Sequence, residues 1–315
     1  MLIAGPNLTI DRTSTIPELR AGDVLRLADV VVTPGGKGLN VARAALALGV
    51  PATLVAFVPG HTGRASAALI GEEGVALESV PVAGEIRSTS VILEPSGRAT
   101  VLNEPGPELA PGDWERLEDA IARALPSHGV LVCSGSLPPG APPAGYGRLV
   151  AIAQAAGVPV VVDANGATLG GALEAGPDVI TPNLAEAEGL LHGHGDEAVE
   201  ASPDARPRAL QAAEELRERG ARSAVVTAAA AGAAVATSDG SAWVGAPSVT
   251  VANPIGAGDV LASALAAALE RGEPVVAALR AGVTAAAAAV ESPTAGVLEP
   301  ARMRELFAAT AIEPG

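Results

Sequence analysis

Short apolar runs alternate, for most of the chain, with stretches in which apolar residues recur every three to four positions. The runs at 53–58, 75–82, 130–133, 158–163, 178–181 and 223–227 predict strands. They are nearly continuous in apolar residues, as strands are when both faces are covered. The helical period predicts helices over 38–48, 62–70, 111–125, 144–156, 183–191, 207–219 and 257–271, with a last one over 273–290. Strands separated by helices of this length predict βαβ units and a parallel sheet. Two stretches break the rhythm. Residues 12–33 are turn-rich without a helical period, and 87–103 read as two strands around Glu94-Pro95-Ser96-Gly97. Both are expected to pair as a small β-sheet outside the main layers, a lid. Residues 192–208 are polar and rich in Pro, Gly and Asp, which predicts a surface loop, and no internal repeat occurs.

Composition narrows the core and the partners. The 315 residues are 49% hydrophobic but only 2% aromatic, so the core must be built from small aliphatic side chains. A formal net charge of −15 argues against nucleic acid and anionic membranes as partners. An anionic substrate would need a local basic site, which directs attention to any Lys or Arg beside a glycine turn. The single cysteine, Cys133, lies in an apolar run and reads as a buried filler. With no disulfide possible within the chain, a reducing compartment, the cytoplasm, is expected. Met1–Pro6 has no basic region or long apolar core, so no signal peptide is expected. The run 283–290 is too short to span a bilayer. His192 and His194 have no cysteine or third histidine near them in sequence, and no metal site is expected there.

Two glycine turns carry candidate chemistry. Asn253-Pro254-Ile255-Gly256-Ala257-Gly258-Asp259 runs straight into an alanine-rich helix. A helix start offers free N–H groups and a positive dipole end to an anion, and glycines let a ligand approach the backbone. Asp259 in the first turn is placed to take a proton from a hydroxyl while amides steady the developing charge. An anion hole beside a carboxylate base is what phosphoryl transfer to an alcohol needs. The bland alternative is a helix-capping aspartate. No Gly-x-x-x-x-Gly-Lys-[Ser/Thr] loop occurs. The second turn, Pro34-Gly35-Gly36-Lys37-Gly38-Leu39-Asn40, also opens a helix. Lys37 brings positive charge there, and Asn40 can both donate to and accept from vicinal hydroxyls.

With both turns in view, the chain resembles the ribokinase/phosphofructokinase-B family of sugar kinases. Gly35 to Arg43 matches the N-terminal signature of that family and Asn253 to Asp259 its C-terminal one, in the family's order and at its usual separation. The resemblance covers nearly the whole chain. It implies an α/β fold, the Rossmann-like three-layer ribokinase type with a small β-sheet lid, and a single sugar-kinase domain over 1–315 with the lid formed by about 12–34 and 87–103. By the same resemblance Asp259 is the general base, and the amides of Gly256, Ala257 and Gly258 form the anion hole. Asp11, Gly36, Lys37 and Asn40 are expected at the sugar. Asn183 and Glu186, in Asn183-Leu184-Ala185-Glu186, match the Asn-x-x-Glu that organises Mg²⁺ and ATP through water, with Thr227 and Gly232 beside the nucleotide. The lid of this family can also serve as a homodimer interface.

Asn103 to Pro107, Ser134 to Gly140 and Asp163 to Leu169 resemble the family's phosphosugar branch, the 1-phosphofructokinase, tagatose-6-phosphate kinase and 6-phosphofructokinase B type. That branch implies a phosphate held by Arg87 and Ser136. Fructose 1-phosphate is the first choice of substrate, with tagatose 6-phosphate and fructose 6-phosphate next. The chain departs from the branch in four places. Val24 stands where some members carry a lid lysine, Thr181 where Lys-Pro-Asn begins, Ala229 at a usual glycine and Pro59 at another. Two alternatives stay open on sequence alone: a kinase for an unphosphorylated sugar or nucleoside, and a catalytically weak nucleotide- or sugar-binding protein.

Overall fold

A computed structural model of the chain describes residues 1–315 apart from Gly97, Pro293 and Ala295 and the side chains of Glu197 and Ala201. Among the described residues a ten-stranded sheet runs through the molecule. Its parallel part has the spatial order β5 (Ala76–Val82), β4 (Thr53–Pro59), β1 (Leu2–Ala4), β8 (Leu131–Ser134), β9 (Val160–Asp163), β10 (Val179–Ile180) and β11 (Ser223–Ala228). An antiparallel edge follows: β12 (Gly232–Thr237), β13 (Gly240–Gly245) and β14 (Ile312–Pro314).

The apolar runs are continuous because successive side chains enter two different cores. Leu2, Leu131, Cys133, Val160 and Val162 face one helical layer, made of α3 (Asp113–Ala124), α4 (Gly145–Ala155), α5 (Gly166–Leu173), α6 (Leu184–His192) and α7 (Ala205–Glu218). Ile3, Val130, Val132 and Val161 face the other, where α1 (Lys37–Ala47), α2 (Gly60–Glu72), α8 (Ala257–Glu270) and α9 (Val275–Ala289) pack. The last helix, α10 (Pro300–Phe307), lies on α9. Alanines fill the α8–α9 contact, and burial drives the Cys133 thiol pKa well up, in keeping with an inert filler.

The lid forms as a four-stranded sheet in the order β3 (Val31–Gly35), β2 (Thr9–Thr15), β6 (Arg87–Leu93) and β7 (Ala99–Asn103). It begins three residues earlier than expected, at Thr9, and β2 pairs in parallel with β6. Gly97, at the tip of the β6–β7 hairpin expected from sequence, lies outside the described residues.

Four sequence expectations are refined. β1 is only three residues long and falls below the length at which a pattern is visible, yet it lies inside the parallel sheet between β4 and β8. The alanine-rich β12 has low strand propensity and forms because its hairpin with β13 buries Ala233–Ala236 on the sheet. The Asp239-Gly240 turn was its available signal. α5 and α10 were not foreseen, and the loop expected over 192–208 holds a 3₁₀ turn at Glu197–Ala201 and the start of α7.

Parallel strands leave β1 in one direction toward β4 and leave β8 in the other toward β9 and β10. The loops at the carboxyl ends of β1 and β8 therefore diverge and open a crevice, where ligands of open α/β sheets bind. The lid strands β2 and β3 start from the same end.

Candidate active site

A cavity of about 230 Å³ occupies this crevice. Gly36, Lys37, Arg87 and Ser136, all read from sequence as substrate contacts, line it together with Asn7, Asn103 and Asn165. Asp11, Asn40 and Asp259 stand outside that lining.

The Ser134-Gly135-Ser136 turn follows β8 and is anchored from below. Tyr146, fully buried in the core, donates its hydroxyl to the Gly135 carbonyl at 3.1 Å. Asn7, after β1, donates to Ser136 Oγ at 3.0 Å and to the Pro105 carbonyl at 3.2 Å. Its own carbonyl accepts from Arg87 Nη2 at 3.2 Å and from Nε at 3.3 Å. Asn7 thus fastens the turn, the lid arginine and the 103–107 segment to one point. Arg87 makes no ion pair among the described residues, and burial lowers its pKa more than Asp11 and Glu104 raise it. A half-buried guanidinium without a carboxylate partner is a receptor for an anion.

Lys37 opens α1. Its Nζ lies 3.5 Å from Asp163 Oδ2, at the end of β9, and Asp163 also accepts from Ser134 Oγ at 3.3 Å. The charge of Asp163, and beyond it those of Asp259 and Glu186, hold the Lys37 pKa above its usual value against the cost of burial. Gly36 reaches φ 118°, and a Cβ on Gly38 would stand 2.6 Å from Gly5 Cα, so α1 starts in backbone contact with the end of β1. The carboxylate of Asp11 lies against Gly35, where a Cβ would come within 2.1 Å of Oδ2. Burial raises the Asp11 pKa against the hydroxyls of Thr89 and Thr9 and the charges of Arg87 and Arg43, and its Oδ1 is buried without a hydrogen-bond partner.

Asp259 sits in the first turn of α8, 4% exposed. Gly256 before it adopts φ 82°, which turns the chain into the helix. The Ala257 N–H closes a turn on the Pro254 carbonyl at 3.3 Å, while the Gly258 N–H belongs to the first helical turn, which has no acceptor of its own within the helix. Asn40 donates Nδ2 to Asp259 Oδ2 at 2.8 Å. Burial first, and then the negative charge of Asp163, push the Asp259 pKa up to about 7, although Lys37 and the Asn40 hydrogen bond favour the carboxylate. A base poised there can take a hydroxyl proton near neutrality.

At the other end, Asn183 and Glu186 form a capping box on α6. Asn183 Oδ1 accepts from the Glu186 N–H at 2.7 Å, and the Asn183 N–H donates to Glu186 Oε2 at 3.0 Å. Among the described residues the remaining oxygen, Oε1, accepts only from Asn165 Nδ2, at 3.4 Å. Asn183 bridges to Thr227, whose N–H donates to the Pro182 carbonyl at 3.1 Å. Gly232 is a ladder residue: a Cβ there would collide with the Val244 carbonyl at 2.2 Å. The Thr181 hydroxyl is buried without a partner, and Ala229 holds φ 42°, a left-handed conformation costly for a residue with a Cβ. Among the described residues no group of three or more His, Cys, Asp or Glu forms a metal cage, His192 and His194 included.

Arg43, Asp163 and Asn165 lie inside segments that match the family and Asn7 lies outside them, and the sequence alone assigns none of the four a role. For Asp163 a signal existed, a carboxylate at the carboxyl end of a buried parallel strand.

This arrangement can be set beside known proteins. A profile described as pfkB family carbohydrate kinase matches residues 7–302. The chain belongs to that family. It is 34% identical over 291 residues to 1-phosphofructokinase of Haloferax volcanii, covering 92% of this chain and 90% of the relative. It is 30% identical over 289 residues to ATP-dependent 6-phosphofructokinase isozyme 2 of Mycobacterium tuberculosis, covering 91% and 83%. Phosphofructokinase-2 from Escherichia coli, solved in complex with potassium, superimposes with a TM-score of 0.88 at 27% identity, over 98% of both chains. The protein is a carbohydrate kinase of the ribokinase type, similar to the phosphosugar branch.

Proposed function

We propose that this kinase, working as a single domain, transfers a phosphoryl group from ATP to the free primary hydroxyl of a ketohexose phosphate, with fructose 1-phosphate first. One observation carries the reading: Arg87, half-buried, unpaired with any carboxylate and held by Asn7 beside Ser136, lines the same crevice as Lys37, which couples electrostatically to Asp259. A substrate phosphate on Arg87 and Ser136 would leave the opposite arm of the sugar for Asp259. The unpartnered Asp11 oxygen is available to a ring hydroxyl, as is the second N–H of Asn40.

In this mechanism Asp259 removes the hydroxyl proton as attack begins, and the first-turn amides of α8, with Gly258 the freest, steady the transferring group. Lys37 supplies positive charge nearby. Closure of the lid would exclude water as a competing acceptor. Asn183 and Glu186 suit Mg²⁺, which keeps several waters and needs few protein ligands, because Glu186 Oε1 is left with only one long contact. When bound, the ion neutralises charge on the triphosphate.

A furanose explains why relatives named for different substrates resemble this chain. Fructofuranose carries two primary arms flanking its ring oxygen, so one pocket can accept a phosphate on either arm and present the other to the base. The similarity to 1-phosphofructokinase at 34% and the uncharged, 87% exposed Val24 at the lid favour the 1-phosphate. The similarity to a 6-phosphofructokinase at 30% supports fructose 6-phosphate as the second reading. The edge strands of the lid, β3 and β7, expose Val31, Val32, Val101 and Leu102, apolar surface that suits a homodimer through the lid.

A coupled ADP-release assay with Mg-ATP across fructose 1-phosphate, fructose 6-phosphate, tagatose 6-phosphate, fructose, ribose and adenosine tests the reading. Selective turnover of a phosphosugar is expected. Turnover confined to a free sugar or nucleoside would remove the phosphate pocket from the account, and silence throughout would favour the weak binder.

A further inference from the structure

The hydrogen bond that Asp259 accepts from Asn40 needs the Asn40 amide turned one way. Rotated by half a turn, the same side chain would present a carbonyl oxygen to the carboxylate and repel it. What decides the orientation lies one helical turn further along α1. Arg43 Nη1 donates to Asn40 Oδ1 at 3.1 Å. A guanidinium only donates, so the atom facing it must be the oxygen, and the nitrogen is left for Asp259.

Arg43 is itself held from three sides. Its Nε and Nη2 form a two-pronged pair with Glu73, just past α2, both bonds at 2.7 Å. Its Nη2 also donates to the Pro34 carbonyl of lid strand β3 at 2.8 Å. The side chain is 17% exposed, so its geometry is set by these partners rather than by solvent. An ion pair joining two helices would need only the Glu73 fork. The additional bond aims a neighbour at the candidate base, and the bond to Pro34 links that aim to the root of the lid.

We propose that Arg43, clamped by Glu73, is a positioning residue that locks the Asn40 amide with its N–H toward Asp259 and so sets how readily that carboxylate accepts a proton. The inference rests on the reading of Asp259 as the base. Asp163, Lys37, Asn40 and Glu186 are the charged and polar groups that act on Asp259, and only Asn40 among them is oriented by Arg43.

The test compares kcat against pH for the wild-type chain, Arg43→Met, Arg43→Lys and Glu73→Gln, together with the carbon-13 carboxyl shift of Asp259 titrated without substrate. Loss of one hydrogen bond to a carboxylate raises its pKa by about one unit. In Arg43→Met the acid limb of kcat should therefore move up by that amount, with turnover down about fivefold at pH 7 and regained at pH 9. KM should change much less than kcat. Glu73→Gln should move the limb the same way by less. Arg43→Lys keeps the charge and the ion pair but cannot span Glu73, Pro34 and Asn40 at once, so it should behave like Arg43→Met. A loss of turnover that is even across pH, or full rescue by lysine, would overturn the proposal and leave Arg43 a structural ion pair. Should Arg43→Met fail to fold, Arg43→Lys and Glu73→Gln decide. Absence of wild-type turnover with every phosphosugar would count against the acceptor reading, while the Asp259 titration would still decide this one.

Discussion

The end of the crevice proposed for the acceptor and the end proposed for the nucleotide are built to different standards. At the acceptor end Asn7 joins Arg87, Ser136 and Pro105, Tyr146 props the Ser-Gly-Ser turn, and the chain Glu73–Arg43–Asn40–Asp259 is continuous. At the nucleotide end the Thr181 hydroxyl is buried without a partner and Ala229 is held in a left-handed conformation. These are two of the positions at which the sequence departs from the phosphosugar branch. The retained side chains are cross-linked by hydrogen bonds, with the Oδ1 atoms of Asn7 and Asp11 buried and left over for a ligand, whereas one departure, Thr181, leaves a hydroxyl unmet and another, Ala229, strains the backbone. The difference teaches that, on the proposed reading, the acceptor end is preorganised by hydrogen bonds in this chain, whereas the nucleotide end departs from the branch in side chains that leave a buried hydroxyl and a strained backbone.

The strongest way to break the comparison is Asp259→Asn. Turnover should fall about 10³-fold, the usual range for a general base, with KM for the phosphosugar little changed; near wild-type kcat in the ADP-release assay would contradict the acceptor end as described. The same variant carries a stability signature. Asp259 keeps its proton to about pH 7 in the native state, whereas an unfolded aspartate releases it near 4. The native state therefore binds more protons across that window and loses stability as pH rises through it. Asp259→Asn should melt higher than wild type at pH 8, with the gap closing toward pH 4; a gap independent of pH would refute the buried carboxyl.

Smaller effects sharpen the nucleotide end. Thr181→Val removes a hydroxyl with no partner in the protein, so it should raise stability by roughly 1 kcal/mol, while KM for ATP should stay constant. A several-fold rise in that KM would mean the hydroxyl is kept for the triphosphate. The least effect is expected from Ala229→Gly. Relief of a left-handed alanine should stabilise the fold by about 0.5–1 kcal/mol, seen as a slight rise in Tm with kcat unchanged.

Much of this was legible in the sequence because it depends on pattern. The two glycine turns flag the starts of α1 and α8, and the continuous apolar runs flag the parallel strands with both faces covered. The interior strand β1 was not legible, since three residues carry too little period, and neither was β12, where alanine gives no strand preference. Within the site, the glycine turns drew attention to Asp259 and Lys37, whereas Arg87 came only from the family resemblance. The partners that orient them, Asn7 and Arg43, were hidden, because a polar residue next to a motif shows its role only when the fold brings its contact across 80 or 30 residues. Gly232, expected beside the nucleotide, has a second reason to be glycine that only the fold reveals: it opens a strand ladder that admits no Cβ.

The central claim is that Arg87 holds a phosphate already present on the substrate. It is tested most directly by kcat/KM for fructose 1-phosphate and for fructose, each with wild type and Arg87→Ala. The account predicts that the variant loses about 10- to 100-fold toward fructose 1-phosphate, mainly through KM, and little toward fructose. Equal losses toward both sugars would contradict it, and would make Arg87 a support of the lid rather than a phosphate receptor.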